Sequence, residues 1–161
     1  MKRLRYEDQG LDGVDAAILD VLIENARVSI ADLARRVGLS PPSVSERLKR
    51  LEEARVITGY SIAVDPAALG LPIAAWIRVR PLPGELTRVV TILQALPEIV
   101  ECDRITGEDC FLAKAHLRSV EDLEALLDEV IPYATTNTSI IQSSPVPRRL
   151  PIVPRKERGA A

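Results

Sequence analysis

At 161 residues the chain has room for one medium domain or two small ones, and with 47% hydrophobic but only 3% aromatic residues, Leu, Ile, Val and Ala must form its core. The net charge of −2 argues against a highly basic, charge-driven nucleic-acid binder, though not against a dimer that gathers its basic groups on one face. No apolar run approaches the roughly 20 residues that span a bilayer, and MKRLRYEDQG has no apolar segment after it, so it does not read as a secretion signal.

After an extension over 1–10, the first helix starts behind Asp12, a capping residue with Asp15 three positions on, and runs to about Asn25. Ala17, Ile18, Val21 and Leu22 form its buried stripe. The stretch from Ser29 to Ile57 is the most informative in the chain. Ser29 caps a second helix, with Asp32 in a capping-box position and Ile30, Leu33, Ala34 and Val37 on one face. Gly38 ends that helix in a left-handed residue. Ser40 then caps a third, with Pro41 at its first position, where a missing N–H costs nothing.

Val44, Leu48 and Leu51 must face inward from this third helix. Its other face carries Pro42, Ser43, Glu46, Lys49 and Arg50, with Ser45 at one flank. Short polar side chains allow a close approach to base edges, and Lys and Arg reach phosphates. Arg47 lies at the core-facing edge, where it either reaches DNA or braces the domain through an ion pair. The pattern is that of a helix-turn-helix aimed at double-stranded DNA. Its bland counterpart is a helical hairpin with a solvated charged face.

From Ile57 to Val64 the residues alternate, with Tyr60, Ile62 and Val64 on one side, which predicts a wing or connecting strand. Gly70-Leu71-Pro72 ends the linker, taken as 59–71 after a helix-turn-helix domain of 11–58. The remainder, 72–153, reads strand, helix, strand, strand, helix, strand. The elements are Ile73–Arg80, Glu85–Leu96, Ile99–Thr106, Cys110–Leu117, a helix capped by Ser119, and Thr135–Ser144. This is the split βαβ, ferredoxin-like plan, so the fold class is α+β. Helices should cover one sheet face. The other bears Trp76 and Arg78 and is expected to be apolar enough to form a dimer interface. Arg148–Ile152 is a candidate short strand, and 154–161 is expected to be a disordered tail. Cys102 and Cys110 form no metal-ligand spacing and fit a reducing cytosol.

The whole pattern resembles the leucine-responsive/asparagine-operon (Lrp/AsnC, feast/famine) regulators from about Leu11 to Ile152. LDGVDAAILDVLIENARVS, the helix-turn-helix stretch, VITGYSIAVDPAALG, LPEIVECDRITGEDCFLAKAHLRSVEDLEALL and TNTSIIQSSPV follow one another in the family's order. The resemblance implies a cytoplasmic, nucleoid-associated prokaryotic regulator with a winged helix-turn-helix and a ferredoxin-like domain. That domain would assemble homodimers into tetramers or octamers and bind a small effector, usually an amino acid, with no cofactor or metal. Ser40, Pro42, Ser43, Ser45, Glu46, Arg47, Lys49 and Arg50 would then face DNA. The effector site would form at Gly107, Glu108, Asp109 and Cys110, with Thr136 and Thr138 nearby. Family members often carry Gly-Asp-x-Asp at this turn. Glu108 keeps the first acid and Cys110 replaces the second.

Siroheme decarboxylases resemble the same family in both domains, so an enzyme is the alternative. His116 is the single histidine and falls inside a strand, a weak basis for catalysis. A third reading is an effector-binding assembly partner that grips DNA poorly, suggested by Glu46 and the acidic balance.

Overall fold

The computed structural model describes residues 11–151 and 153, and these divide into two compact units. One unit ends at Ile62 and takes in the described residues from Arg148 onward. The other is Ala63–Pro147. The expectations for 1–10, Ile152 and 154–161 lie outside the described residues.

The first unit holds α1 (Gly13–Glu24), α2 (Ile30–Val37) and α3 (Pro41–Glu53). All three starts are capped as the sequence requires. Asp12 accepts from the N–H groups of Val14 and Asp15 at 2.9 and 2.7 Å, Ser29 from that of Asp32 at 3.1 Å, and Ser40 from that of Ser43 at 3.4 Å. Each such cap contributes about 1 kcal/mol. Gly38, at φ 71, ends α2 and lets the chain turn into α3. Ile18, Leu33, Ala34, Val44, Leu48 and Leu51 form the core, at about 1.5–3 kcal/mol for each large side chain removed from water. The α1 stripe differs from expectation. Ala16 is buried where Ala17 is only half-buried, and Asp15 is buried with it.

The end of α3 is unusual. The N–H of Val56 donates to the carbonyl of Leu51 and that of Arg55 to the carbonyl of Glu52, the paired bonds of a Schellman turn. The left-handed position belongs to Arg55, at φ 57, rather than to glycine.

The predicted strand over 57–64 does not form within this chain. Among the described residues no partner strand lies beside it, and Tyr60, Ile62 and Val64 are exposed. A strand exists only where a neighbour takes its N–H and C=O groups. Nor are residues 148–151 a strand. After Asp65 a short 3₁₀ turn, Ala67–Leu69, leads into the sheet of the second unit.

That unit runs β1 (Ile73–Pro81), α4 (Leu86–Ala95), β2 (Ile99–Arg104), β3 (Phe111–Leu117), α5 (Val120–Val130) and β4 (Ala134–Ile140). The strand order is β2-β3-β1-β4, with every neighbouring pair antiparallel, as the split βαβ plan demands. Ile77 and Val79 of β1 pack with Phe111, Ala113, Ala115 and Leu117 of β3 against Val89 and Leu93 of α4 and Leu123, Leu126 and Val130 of α5. Because side chains alternate across a strand, the same register sends Trp76, Arg78, Arg80, Leu112, Lys114 and His116 to the opposite face. That face is mixed rather than apolar. Lys114 lies 5.6 Å above the Trp76 ring, and Arg78 and Arg80 follow it along β1.

Candidate nucleic-acid interface and ligand cavity

Helix α3, the candidate recognition helix, presents Pro42, Ser43, Ser45, Glu46, Lys49 and Arg50 to solvent. Its first turn carries no acidic residue, so the positive end of the helix dipole faces outward unopposed, although Pro41 and Pro42 have no N–H and Ser40 takes those of Ser43 and Val44. Ser40 and Ser43 share a hydroxyl–hydroxyl bond of 2.9 Å. Ser45 donates to the Pro41 carbonyl at 3.0 Å, which leaves its lone pairs free to accept. Lys49 has only a loose approach to Glu53, 3.8 Å between two exposed groups, and its charge is available to DNA.

Arg47 and Arg50 are placed differently. Arg47 donates to Asp12 and Asp15, each at 2.7 Å. Arg50 donates to both Asp15 oxygens, at 3.2 and 3.0 Å. Arg47 is thus the brace between α1 and α3, and Arg50 shares that role while keeping half its side chain exposed. The cluster has an electrostatic signature. Burial pushes the Asp12 carboxyl up, but hydrogen bonds from Asp15 and Arg47 outweigh it and hold the group below its ordinary value of 3.8. Bonds from Asp12 and Asp15 push Arg47 up in turn. Sequence reasoning missed the burial of Asp15. The signal was its spacing, i, i+3 and i+7 with Ile18 and Leu22, which puts a carboxylate on the apolar stripe.

In the second unit the expected effector residues separate. Gly107, at φ 117, forms the β2–β3 turn. Glu108 accepts from Arg80 at 2.6 Å. Asp109 lies 3.9 Å from Arg78 and 3.8 Å from Arg80. Cys110 turns away. Its N–H donates to the Val79 carbonyl at 3.1 Å, and it packs against the hydrophobic core beside Phe111. The acids facing the arginines are therefore Glu108 and Asp109, while Cys110 packs toward the core.

A cavity of 460 Å³ lies here, lined by Arg78, Arg80, Asp109, Thr135, Thr136 and Asn137. The β1–β4 register pairs Arg80 with Thr135 and Arg78 with Asn137, so these four share the outer face. Thr136 and Thr138 pair with Val79 and Ile77 and belong to the helix-covered face. Thr136 still borders the cavity. Thr138 does not, and its hydroxyl is buried without a hydrogen-bond partner among the described residues. Arg80, Thr135 and Asn137 were missed because a strand's sequence fixes its two faces but not the register with its neighbour.

His116 pairs with Ala74 on the outer face, and its Nδ1 is enclosed without a partner. Burial, helped by the Lys114 charge, holds its imidazole below the usual 6.5. Among the described residues no cluster of His, Cys, Asp or Glu could hold a metal ion, and no helix is long and apolar enough to cross a membrane.

A capped helix-turn-helix unit joined to a four-stranded α+β unit with a polar cavity defines a two-part class: a DNA reader and a ligand-binding domain. The AsnC-type helix-turn-helix domain matches residues 11–52, and the Lrp/AsnC ligand-binding domain matches residues 74–151. The chain is 36% identical over 133 residues to the HTH-type transcriptional regulator LrpC of Bacillus subtilis, covering 83% of this chain and 92% of that protein. It is 30% identical to the regulatory protein AsnC of Escherichia coli K12, covering 89% and 98%. The solved structure of B. subtilis LrpC superposes with a TM-score of 0.80, covering 83% of this chain and 96% of that one. A Neisseria meningitidis transcriptional regulator solved as its L-methionine complex is 27% identical with a TM-score of 0.80, covering 88% and 97%. The chain belongs to the Lrp/AsnC family of helix-turn-helix transcriptional regulators.

Proposed function

We propose that the chain binds double-stranded DNA sequence-specifically through α3, and that an amino-acid effector held by the second unit shifts its assembly or DNA affinity. The observation that carries this reading is the exposed face of α3, which combines short side chains at its start with a free Lys49 further on. The effector part is supported by the Lrp/AsnC ligand-binding domain, by the polar cavity, and by the methionine complex of the N. meningitidis relative. An effector acts only by favouring one assembly or conformation over another.

We further propose a homo-oligomer. Two recognition helices held by a symmetric dimer would sit about one DNA turn, roughly 34 Å, apart. The exposed Tyr60, Ile62 and Val64 and the Trp76 face are the surfaces such an assembly would cover.

One observation favours a second reading, in which DNA is gripped weakly: Asp12 and Asp15 already hold Arg47 and Arg50, and Glu46 lies on the DNA-facing side. Selection from fragmented genomic DNA separates the two. Enrichment of a few imperfect palindromes supports the regulator. Recovery of fragments with no shared sequence supports the weak binder.

A further inference from the structure

We propose that the basic segment 148–158 is a second DNA-contacting element, an arm that grips backbone phosphates while α3 reads bases. This rests on the reading that the chain binds double-stranded DNA, and it names where much of the phosphate affinity comes from.

The helices of the first unit are poorly supplied with free cations. Residues 11–62, which hold all three, carry seven basic and eight acidic residues, a net charge of −1. Four of the seven cations are already committed. Arg35 is held by Asp32, Arg36 by Glu24, and Arg47 and Arg50 by Asp15, all within 3.0 Å. Affinity for a duplex comes largely from neutralised phosphates. A unit with this balance neutralises few, so a firm grip on DNA needs cations from elsewhere in the chain.

The segment 148–158 supplies them. Arg148, Arg149, Arg155, Lys156 and Arg158 stand against the single acid Glu157, a net charge of +4, while the rest of the chain sums to −6. The described residues from Arg148 onward belong to the unit that carries α3, although the sheet unit precedes them in sequence. Arg148 and Arg149 are exposed and lie outside any helix or strand. Neither makes a hydrogen bond or an ion pair among the described residues. Both guanidiniums are therefore open to a phosphate, which they can meet through paired N–H donors.

The spacing suits a backbone rather than a compact anion. Pro147 and Pro151 bracket the arginine pair, and proline lacks the N–H that a helix needs. Arg149 and Arg158 lie nine positions apart, and a chain of that length reaches at most about 30 Å, close to one turn of duplex, roughly 34 Å. Contacts of this kind carry no base information, so the arm adds affinity and leaves sequence choice to α3.

The test is fluorescence anisotropy of the full chain with two labelled duplexes of unrelated sequence across a salt series. Arg148→Gln with Arg149→Gln should weaken binding to both duplexes about tenfold and lower the slope of log affinity against log salt by about one to two per bound chain. Adding Arg155→Gln, Lys156→Gln and Arg158→Gln should bring the total fall in slope to about four. The preference between the two duplexes and the thermal midpoint should stay unchanged. Arg148→Lys with Arg149→Lys should keep most of the slope, because a phosphate accepts from either cation. An unchanged slope, or tighter binding, in the five-substitution variant overturns the inference and leaves the DNA reading standing. Absence of salt-dependent binding by the wild-type chain overturns both. Cosedimentation with phosphatidylserine vesicles separates DNA phosphates from lipid ones. Vesicle retention that the five substitutions abolish, with the DNA slope unmoved, assigns the charges to a membrane surface and also overturns the inference.

Discussion

Asp15 shows how one buried residue ties two helices together. It is buried on the apolar side of α1, and two arginines from α3 converge on it. A carboxylate held by two guanidiniums fixes the register between the two helices. Asp15→Ala should therefore destabilise the first unit by about 1–2 kcal/mol. That is less than the roughly 3–5 kcal/mol seen for a fully buried pair, because Arg47 and Arg50, 26% and 51% exposed, regain water when released. Chemical denaturation followed by helix ellipticity measures this, and an unchanged midpoint would remove Asp15 from the brace. Lys49 has the complementary role, with no firm partner and an exposed ammonium. Lys49→Ala should weaken binding to all duplexes alike and lower the slope of log affinity against log salt by about one. An unchanged slope would exclude a phosphate contact at this position.

At the scale of elements, the helices were more legible in the sequence than the strands. Asp12, Ser29, Ser40, Pro41 and Gly38 mark the starts and turns of α1, α2 and α3 to within a residue, because capping is a local chemistry written in adjacent positions. The segment 57–64 has the alternation of a strand yet forms none here, since pairing depends on a neighbour that local pattern does not supply. The same limit hid the cavity. Arg78 was legible as an outward residue of β1, but its alignment with Asn137 depends on cross-strand register. Cys110 was misplaced for a related reason. The chain re-enters the sheet at that residue, so its side chain joins the core while Asp109 turns outward. The end of α3 carries a separate consequence. Arg55 occupies a left-handed position that costs an L-residue about 1–2 kcal/mol and glycine almost nothing. Arg55→Gly should therefore stabilise the first unit by up to about 1 kcal/mol, read as a higher thermal midpoint. A lower midpoint would mean that the arginine side chain contributes contacts worth more than the strain.

For the whole molecule, the two units carry separate tasks, and regulation requires that a ligand event in one alter the behaviour of the other. Self-association is the natural link, because a change in assembly moves recognition helices relative to one another. The outer sheet face is mixed in character, with Trp76 beneath Lys114 and between polar neighbours. Trp76→Arg would place a third guanidinium on β1 beside Arg78 and Arg80, so it should shift the chain toward monomer in light scattering at low concentration. A variant as large as the wild type would take Trp76 out of the interface.

Fluorescence anisotropy with salt titration tests most directly whether this family member reads DNA. The probes are the duplex from upstream of the chain's own gene and an unrelated duplex of equal length. Binding to the upstream duplex should be tighter and strongly salt-dependent, with a shift on adding an amino-acid effector. Weak binding of equal strength to both duplexes across the salt range, unmoved by any amino acid, would contradict that expectation.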